Sequence, residues 1–190
     1  MRRLPFLAVL LLLAGCASAR TTYLQLAPVP ADHHLTVHGA ALAVDHVQMP
    51  ATIDRLYLTT ATGAETLSVA GHARWVAPLD GMATRVLATD LARRIDGVDV
   101  LMPGDPAPPS GARHVRVNVT KFLPVAGGPE AGHVVLDADW QLIGRKGKVL
   151  QAQRNHIRIA SRSTPAAQAG AMSQALGRLA DLIAGALASH

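Results

Sequence analysis

The stretch His133-Val134-Val135-Leu136-Asp137-Ala138-Asp139-Trp140-Gln141-Leu142-Ile143-Gly144-Arg145-Lys146-Gly147 reads as a strand running into a turn. Leu136, Ala138, Trp140 and Leu142 alternate with Asp137, Asp139 and Gln141, the period-two pattern of a strand with one buried face. Residues 149–160 alternate again, with Asn155, Ile157 and Ile159 on one side. Two such runs around a glycine-flanked turn predict an antiparallel hairpin over 133–143 and 149–160. Matching the apolar faces sets the parity of the register, because a slip of one residue turns every side chain over. A two-residue turn at Lys146-Gly147 then puts Asp139 opposite Arg154 and Asp137 opposite His156.

Upstream, Val115, Val117 and Val119 alternate with His114, Arg116 and Asn118, so 114–122 is a third strand. A short strand is expected at 98–102. Residues 103–111 hold four prolines and two glycines and must form a loop. Residues 78–94 read as a helix, with Leu79, Met82, Val86 and Leu91 on one face and Arg85, Asp90, Arg93 and Arg94 off it. Gly97 ends that segment. Nearer the start, strands are expected at 21–26 and 41–47, separated by a Pro- and His-rich loop at 27–34. Pro50 closes the second strand. A hairpin over 55–60 and 65–70 turns at Thr62-Gly63.

At the far end, Thr164-Pro165 pairs a cap residue with proline at the first helical position. Met172, Leu176, Leu179, Ile183 and Ala186 then step by three and four, a helix with one apolar stripe that runs to Ala188. The stripe packs on the sheet or forms a seam to a partner helix. It is shorter than the three to four heptads of a coiled coil, which favours the sheet. Strands, helix, strands, helix: this order predicts an α/β fold, a single domain with a mixed, largely antiparallel sheet packed by two main helices.

The first residues have another character. Arg2 and Arg3 precede an apolar run from Leu7 to Leu13, then Ala14-Gly15-Cys16. A basic start, an apolar middle and small residues before a cut site are the parts of a secretory signal. The run is shorter than the roughly 20 residues that span a bilayer. Cys16 is the only cysteine in the chain. The small-small-Cys ending resembles a bacterial lipobox, which implies a diacylglycerol on the Cys16 thiol and cleavage between Gly15 and Cys16. The same resemblance, with Ala17 and not aspartate after the cysteine, implies the periplasmic face of the outer membrane. The expected organisation is a signal peptide at 1–15, a lipidated tether at 16–22 and one domain at 23–190.

Removing 15 of the 190 residues leaves 175, enough for one well-filled core. Aromatics are only 3 %, so that core must be built from Val, Leu, Ile and Ala. Dropping Arg2 and Arg3 from 18 basic residues leaves 16 against 13 acidic ones. That balance, with no dense basic run and no stacking platform, argues against nucleic acid. With Cys16 acylated, no thiol remains for a disulfide, a zinc cluster or a nucleophile. Among nine histidines, His33, His34, His38 and His46 lie close in sequence but in no metal-ligand spacing. Ser68, Ser161 and Ser163 stand outside any Gly-x-Ser-x-Gly elbow. Gly127-Gly128 lacks the Lys and Ser/Thr of a phosphate loop. These observations predict no enzyme, no metal and no cofactor.

Four features together resemble the ABC-type transport auxiliary lipoprotein family, the PqiC-like proteins. The lipobox is followed by Thr22-Tyr23-Leu24-Gln25-Leu26. A strand from Leu42 leads through Pro50 to Ile53-Asp54-Arg55. Ala73-Arg74-Trp75-Val76-Ala77-Pro78-Leu79 enters the helix, and Asp139-Trp140 lies in the late sheet before the helix from Thr164. The chain departs from the family pattern at Thr52, where Tyr is frequent, and at Leu56, where Pro is usual. The resemblance implies an accessory subunit of an MCE-type lipid transport system. Its partners would be an inner-membrane permease and a periplasmic MCE-domain protein, together with the membrane itself and other copies of this chain. The resemblance makes Pro50, Ile53, Asp54, Arg55 and Trp75 candidates for partner docking. The same residues also suit fold stability, Asp54-Arg55 as a local ion pair and Trp75 as a ring covering the sheet end. An envelope scaffold and a binder of small hydrophobic ligands are the competing functions.

Overall fold

The computed structural model describes residues 20–189. The expected leader, the expected cut between Gly15 and Cys16, and Cys16 itself lie outside the described residues. The elements run β1 (Thr22–Leu24), β2 (Leu35–Thr36), β3 (Leu42–Val44), β4 (Tyr57–Ala61), β5 (Leu67–Trp75) and α1 (Leu79–Ala92). Then come β6 (Ile95–Asp96), β7 (Val100–Leu101), β8 (Arg113–Val125), β9 (His133–Ile143), β10 (Val149–Ala160) and α2 (Pro165–Ala188).

β8 is the spine of a mixed sheet. One edge pairs antiparallel with β9, which pairs antiparallel with β10. The other edge is shared. β3 lies parallel to the start of β8, from Leu42 opposite Arg113 to Val44 opposite Val115, and β4 meets its far end in parallel at Ala61 opposite Val125. β5 is antiparallel to β4, and β1 is parallel to β5. β7 lies outside β3. The small pair β2–β6 stands apart from this sheet and has no counterpart in the sequence reading.

One face of the sheet is core. Val115, Val117 and Val119 are fully buried and lie beside Leu142, Trp140 and Ala138. α2 covers them, with Met172, Leu176, Leu179 and Ile183 all buried. Each such side chain contributes roughly 1.5–3 kcal/mol on burial. The stripe therefore packs inside the domain, against β9, β10 and α1. The Trp140 indole N–H donates to Asn155 Oδ1 across the hairpin at 2.7 Å, so the one polar atom of that ring has a partner.

The register of β9 and β10 is the expected one, with Asp139 opposite Arg154 and Asp137 opposite His156. The turn is not. Arg145–Gly147 forms a three-residue 3₁₀ turn, with Lys146 at φ 57 and ψ 24, closed by the Gly144 N–H on the Lys148 carbonyl at 2.8 Å. The extra residue is absorbed by an irregularity between Val149 and Gln151, which restores the parity. A second correction concerns α1. Asp90 and Arg94 do not lie off its apolar face but are buried, at 0 % and 3 % exposure. They sit where α1 meets α2 and the segment around Val29. The Val29 N–H donates to Asp90 Oδ1 at 2.8 Å, and Arg94 Nε donates to Asp181 Oδ1 at 2.5 Å.

Candidate functional site

The Ile53-Asp54-Arg55 and Trp75-to-Leu79 stretches, 20 residues and more apart in sequence, meet in one structural unit. Pro50 opens a tight turn in which its carbonyl accepts the N–H groups of Ile53 and Asp54, both at 3.0 Å. The turn points the Asp54 carboxylate at the start of α1. Oδ1 accepts the N–H of Leu79 at 3.0 Å and of Asp80 at 3.2 Å. The first helical N–H groups lack partners within the helix, and Pro78, at the cap position, has no side chain to supply one. Asp54 therefore acts as the cap from a distance, and its charge also suits the positive helix end. It is not half of a local ion pair: Arg55 Nε donates instead to the Thr52 carbonyl at 3.2 Å. Trp75 and Ile53 are buried in the core, at 2 % and 5 % exposure. Of the five candidate docking residues, these two present no side chain to a partner. Asp54 is half-buried and occupied, Pro50 is half-buried, and Arg55 is exposed.

The next loop is pinned to the same helix turn. Thr84 Oγ1 accepts the Val47 N–H at 2.9 Å, and His46 Nε2 lies 2.9 Å from Asp80 Oδ2. His34 lies 3.7 Å from Asp96. Among the described residues, no group of three His, Cys, Asp or Glu side chains is placed to hold a metal ion.

The sheet face opposite the helices divides into two regions. Toward β8, β9 and β10 it is a lattice of paired charges. Asp45 Oδ1 is 3.1 Å from His114 Nδ1, and Asp45 Oδ2 is 3.4 Å from Arg116 Nε. Arg154 Nε donates to Asp139 Oδ1 at 2.6 Å. His156 stands between Asp137 at 2.5 Å and Glu130 at 3.0 Å, and Lys121 Nζ donates to Glu130 at 2.7 Å. These bonds carry the 126–132 loop back over the sheet. The hydrogen bond from Lys121 holds the Glu130 carboxyl below its ordinary range, and that from Arg154 does the same for Asp139.

Toward β1, β5 and β4 the face changes. Tyr23 is opposite Arg74, and Arg74 is opposite Tyr57, so the three form a row across three strands. The Arg74 guanidinium carbon lies 5.7 Å from the centre of the Tyr57 ring. Tyr23 is 65 % exposed, Tyr57 38 % and the neighbouring Val76 57 %. The chain has two tyrosines, and both are here. The sequence reading missed this row because the parallel pairing of β1 with β5 joins residues about fifty positions apart. The one available signal was that the only tyrosines sit on strands too short or too polar to bury them.

With this geometry in view, the family follows. The sequence matches the model of the ABC-type transport auxiliary lipoprotein component over residues 23–184, and the chain belongs to that family. The fold matches a crystal structure of an uncharacterized protein, with a TM-score of 0.72 and 19 % identity, covering 87 % of this chain and 97 % of the other. It also matches a protein from Xanthomonas campestris, with a TM-score of 0.66 and 17 % identity, covering 87 % of this chain and 92 % of the other. At these identities the likeness is one of fold. No curated protein sequence matches the chain. The family makes the chain an auxiliary lipoprotein component of ABC-type transport, which is not an enzyme class, with its partners in a transporter and its place at a membrane of the envelope.

Proposed function

We propose that the chain is the non-enzymatic periplasmic lipoprotein subunit of an MCE-type intermembrane lipid transport system. It is held on the outer membrane by acyl chains on Cys16, and it docks or completes the conduit there. The observation that carries this reading is the family match, which runs through the whole domain from β1 into α2. Its partners are a periplasmic MCE-domain protein, the inner-membrane permease of the same system and further copies of this chain. Pro50 and Arg55 are the members of the docking set whose side chains reach the surface. Ile53, Asp54 and Trp75 act through the shape of that end of the molecule.

One cleft of the domain is ill suited to a small hydrophobic ligand. This cleft, of about 570 Å³, lies between the proline-rich loop and the β9–β10 turn and has His114, Arg116, Arg145 and Lys146 on its walls. That is a basic, open groove and not the apolar pocket such a ligand needs. Exposed apolar and aromatic side chains lie instead on the β1–β5–β4 flank, outside that groove. The test is recovery of the other transporter subunits with this chain from crosslinked envelopes.

A further inference from the structure

We infer that the Tyr23–Arg74–Tyr57 row, with Val76, lies against the bilayer that holds the chain's own lipid anchor. The inference rests on the reading of Cys16 as lipidated. Tyrosine is apolar in its ring and polar at its tip, the character that settles at the headgroup level of a membrane. In a chain with so few aromatics, both tyrosines are exposed, one strand apart on either side of β5, while Trp75, Trp140 and Phe122 are buried. Arg74 stands between the two tyrosines, and among the described residues no carboxylate lies within ion-pair distance of it. Its planar fork suits the phosphate of a lipid headgroup.

Chain length decides the occupant. Five residues lie between Cys16 and Thr22, six Cα–Cα steps that span at most about 20 Å when fully extended. Tyr23 follows directly, on β1. The domain must therefore sit close to its membrane, and β1 is the part of it held nearest. The other region of the same face is a poor candidate. Its carboxylates and cations are spent on one another, Asp45 with Arg116, Glu130 with Lys121 and Asp139 with Arg154, and it exposes no aromatic ring among the described residues.

The test uses the full lipidated chain reconstituted into vesicles of three parts phosphatidylethanolamine to one part phosphatidylglycerol. With Cys16 acylated, Val76→Cys supplies the only free thiol, which is labelled with an environment-sensitive fluorophore. Lys146→Cys, on the turn at the opposite edge of the sheet, is the control. A headgroup-spin-labelled lipid should quench the label at 76 several-fold more than the label at 146. Tyr23→Ser with Tyr57→Ser should bring position 76 down to the control level, with the far-ultraviolet circular dichroism unchanged. If the protein pellets with the vesicles and positions 76 and 146 quench alike, the inference is wrong and the row belongs to a protein partner. If Cys16 stays reactive to thiol reagents and the protein remains in the supernatant, the anchoring reading itself fails, and the inference with it.

Discussion

The carboxylate of Asp54 caps a helix that begins 25 residues later, its Oδ1 lying 3.0 Å from the backbone nitrogen of Leu79. A second bond, from Asp80, makes the same oxygen the partner of two otherwise orphaned donors. The Asp54 turn and the helix entry are thus one unit. Asp54→Ala should cost about 1 kcal/mol, within the 0.5–2 kcal/mol range of lost caps, read from urea midpoints. Arg55→Ala, which removes an exposed bond to a carbonyl, should change stability by less than about 0.5 kcal/mol. Equal losses for the two would mean that the pair, and not the cap, matters.

Asp90 supplies a pH signature. Burial pushes its carboxyl up from 3.8 to about 6, against the Val29 N–H and the Arg94 charge, which pull it down. Its Oδ2 has no hydrogen-bond partner. The unfolded chain loses this proton near the ordinary value, while the folded chain keeps it until about 6. In that window the unfolded state binds fewer protons, so this group's contribution is full below about 3.8 and is lost as pH rises through about 6. A shift of about two units corresponds to about 3 kcal/mol. Asp90→Asn keeps an acceptor for Val29 and removes the charge. Its stability relative to the parent should rise between pH 4 and pH 7, measured by urea unfolding at each pH. A difference that stays flat across that range would contradict the assignment.

Two glycines of α2 should respond with opposite sign to the same substitution. A Cβ on Gly177 would fall 2.2 Å from Val29 Cγ2, whereas one on Gly170 meets nothing within 4 Å. Gly170→Ala should stabilise by about 0.5–1 kcal/mol through helix propensity. Gly177→Ala should destabilise by about 1–3 kcal/mol through overpacking, and Val29→Ala should relieve most of that loss. Thermal melts of the three variants decide it.

Asn155 exists for Trp140. Replacing it with Leu leaves a buried indole N–H without its 2.7 Å acceptor, at a cost of about 1–3 kcal/mol. Asn155→Asp retains an acceptor and should cost less. Indole N–H hydrogen exchange should quicken in the leucine variant alone.

These sites also show what the sequence could disclose. The bounds of β9 and β10 and their register were legible because alternation carries both; the irregularity near Gln151 was not, because it leaves the parity of the remaining pairs intact. Asp90 and Arg94 were misplaced because charged residues spaced i, i+4 usually lie on the solvent side, whereas α1 is enclosed by α2 on one side and by the Val29 segment on the other. The Asp54 cap left only an indirect trace. Proline at the cap position announces a helix start without a side-chain acceptor, but which residue supplies it depends on the fold. The Tyr23–Arg74–Tyr57 row required the parallel β1–β5 pairing, which no local pattern encodes.

A lipoprotein that serves an envelope transporter from the membrane should be captured together with that transporter's other subunits. The most direct measurement is mass-spectrometric identification of proteins captured with the tagged, full-length chain from crosslinked envelopes, beside a Cys16→Ser control. An MCE-domain protein should appear in the capture, with recovery falling sharply in the control. Capture of cell-wall enzymes or scaffold proteins in its place, with no MCE-domain protein, would contradict it.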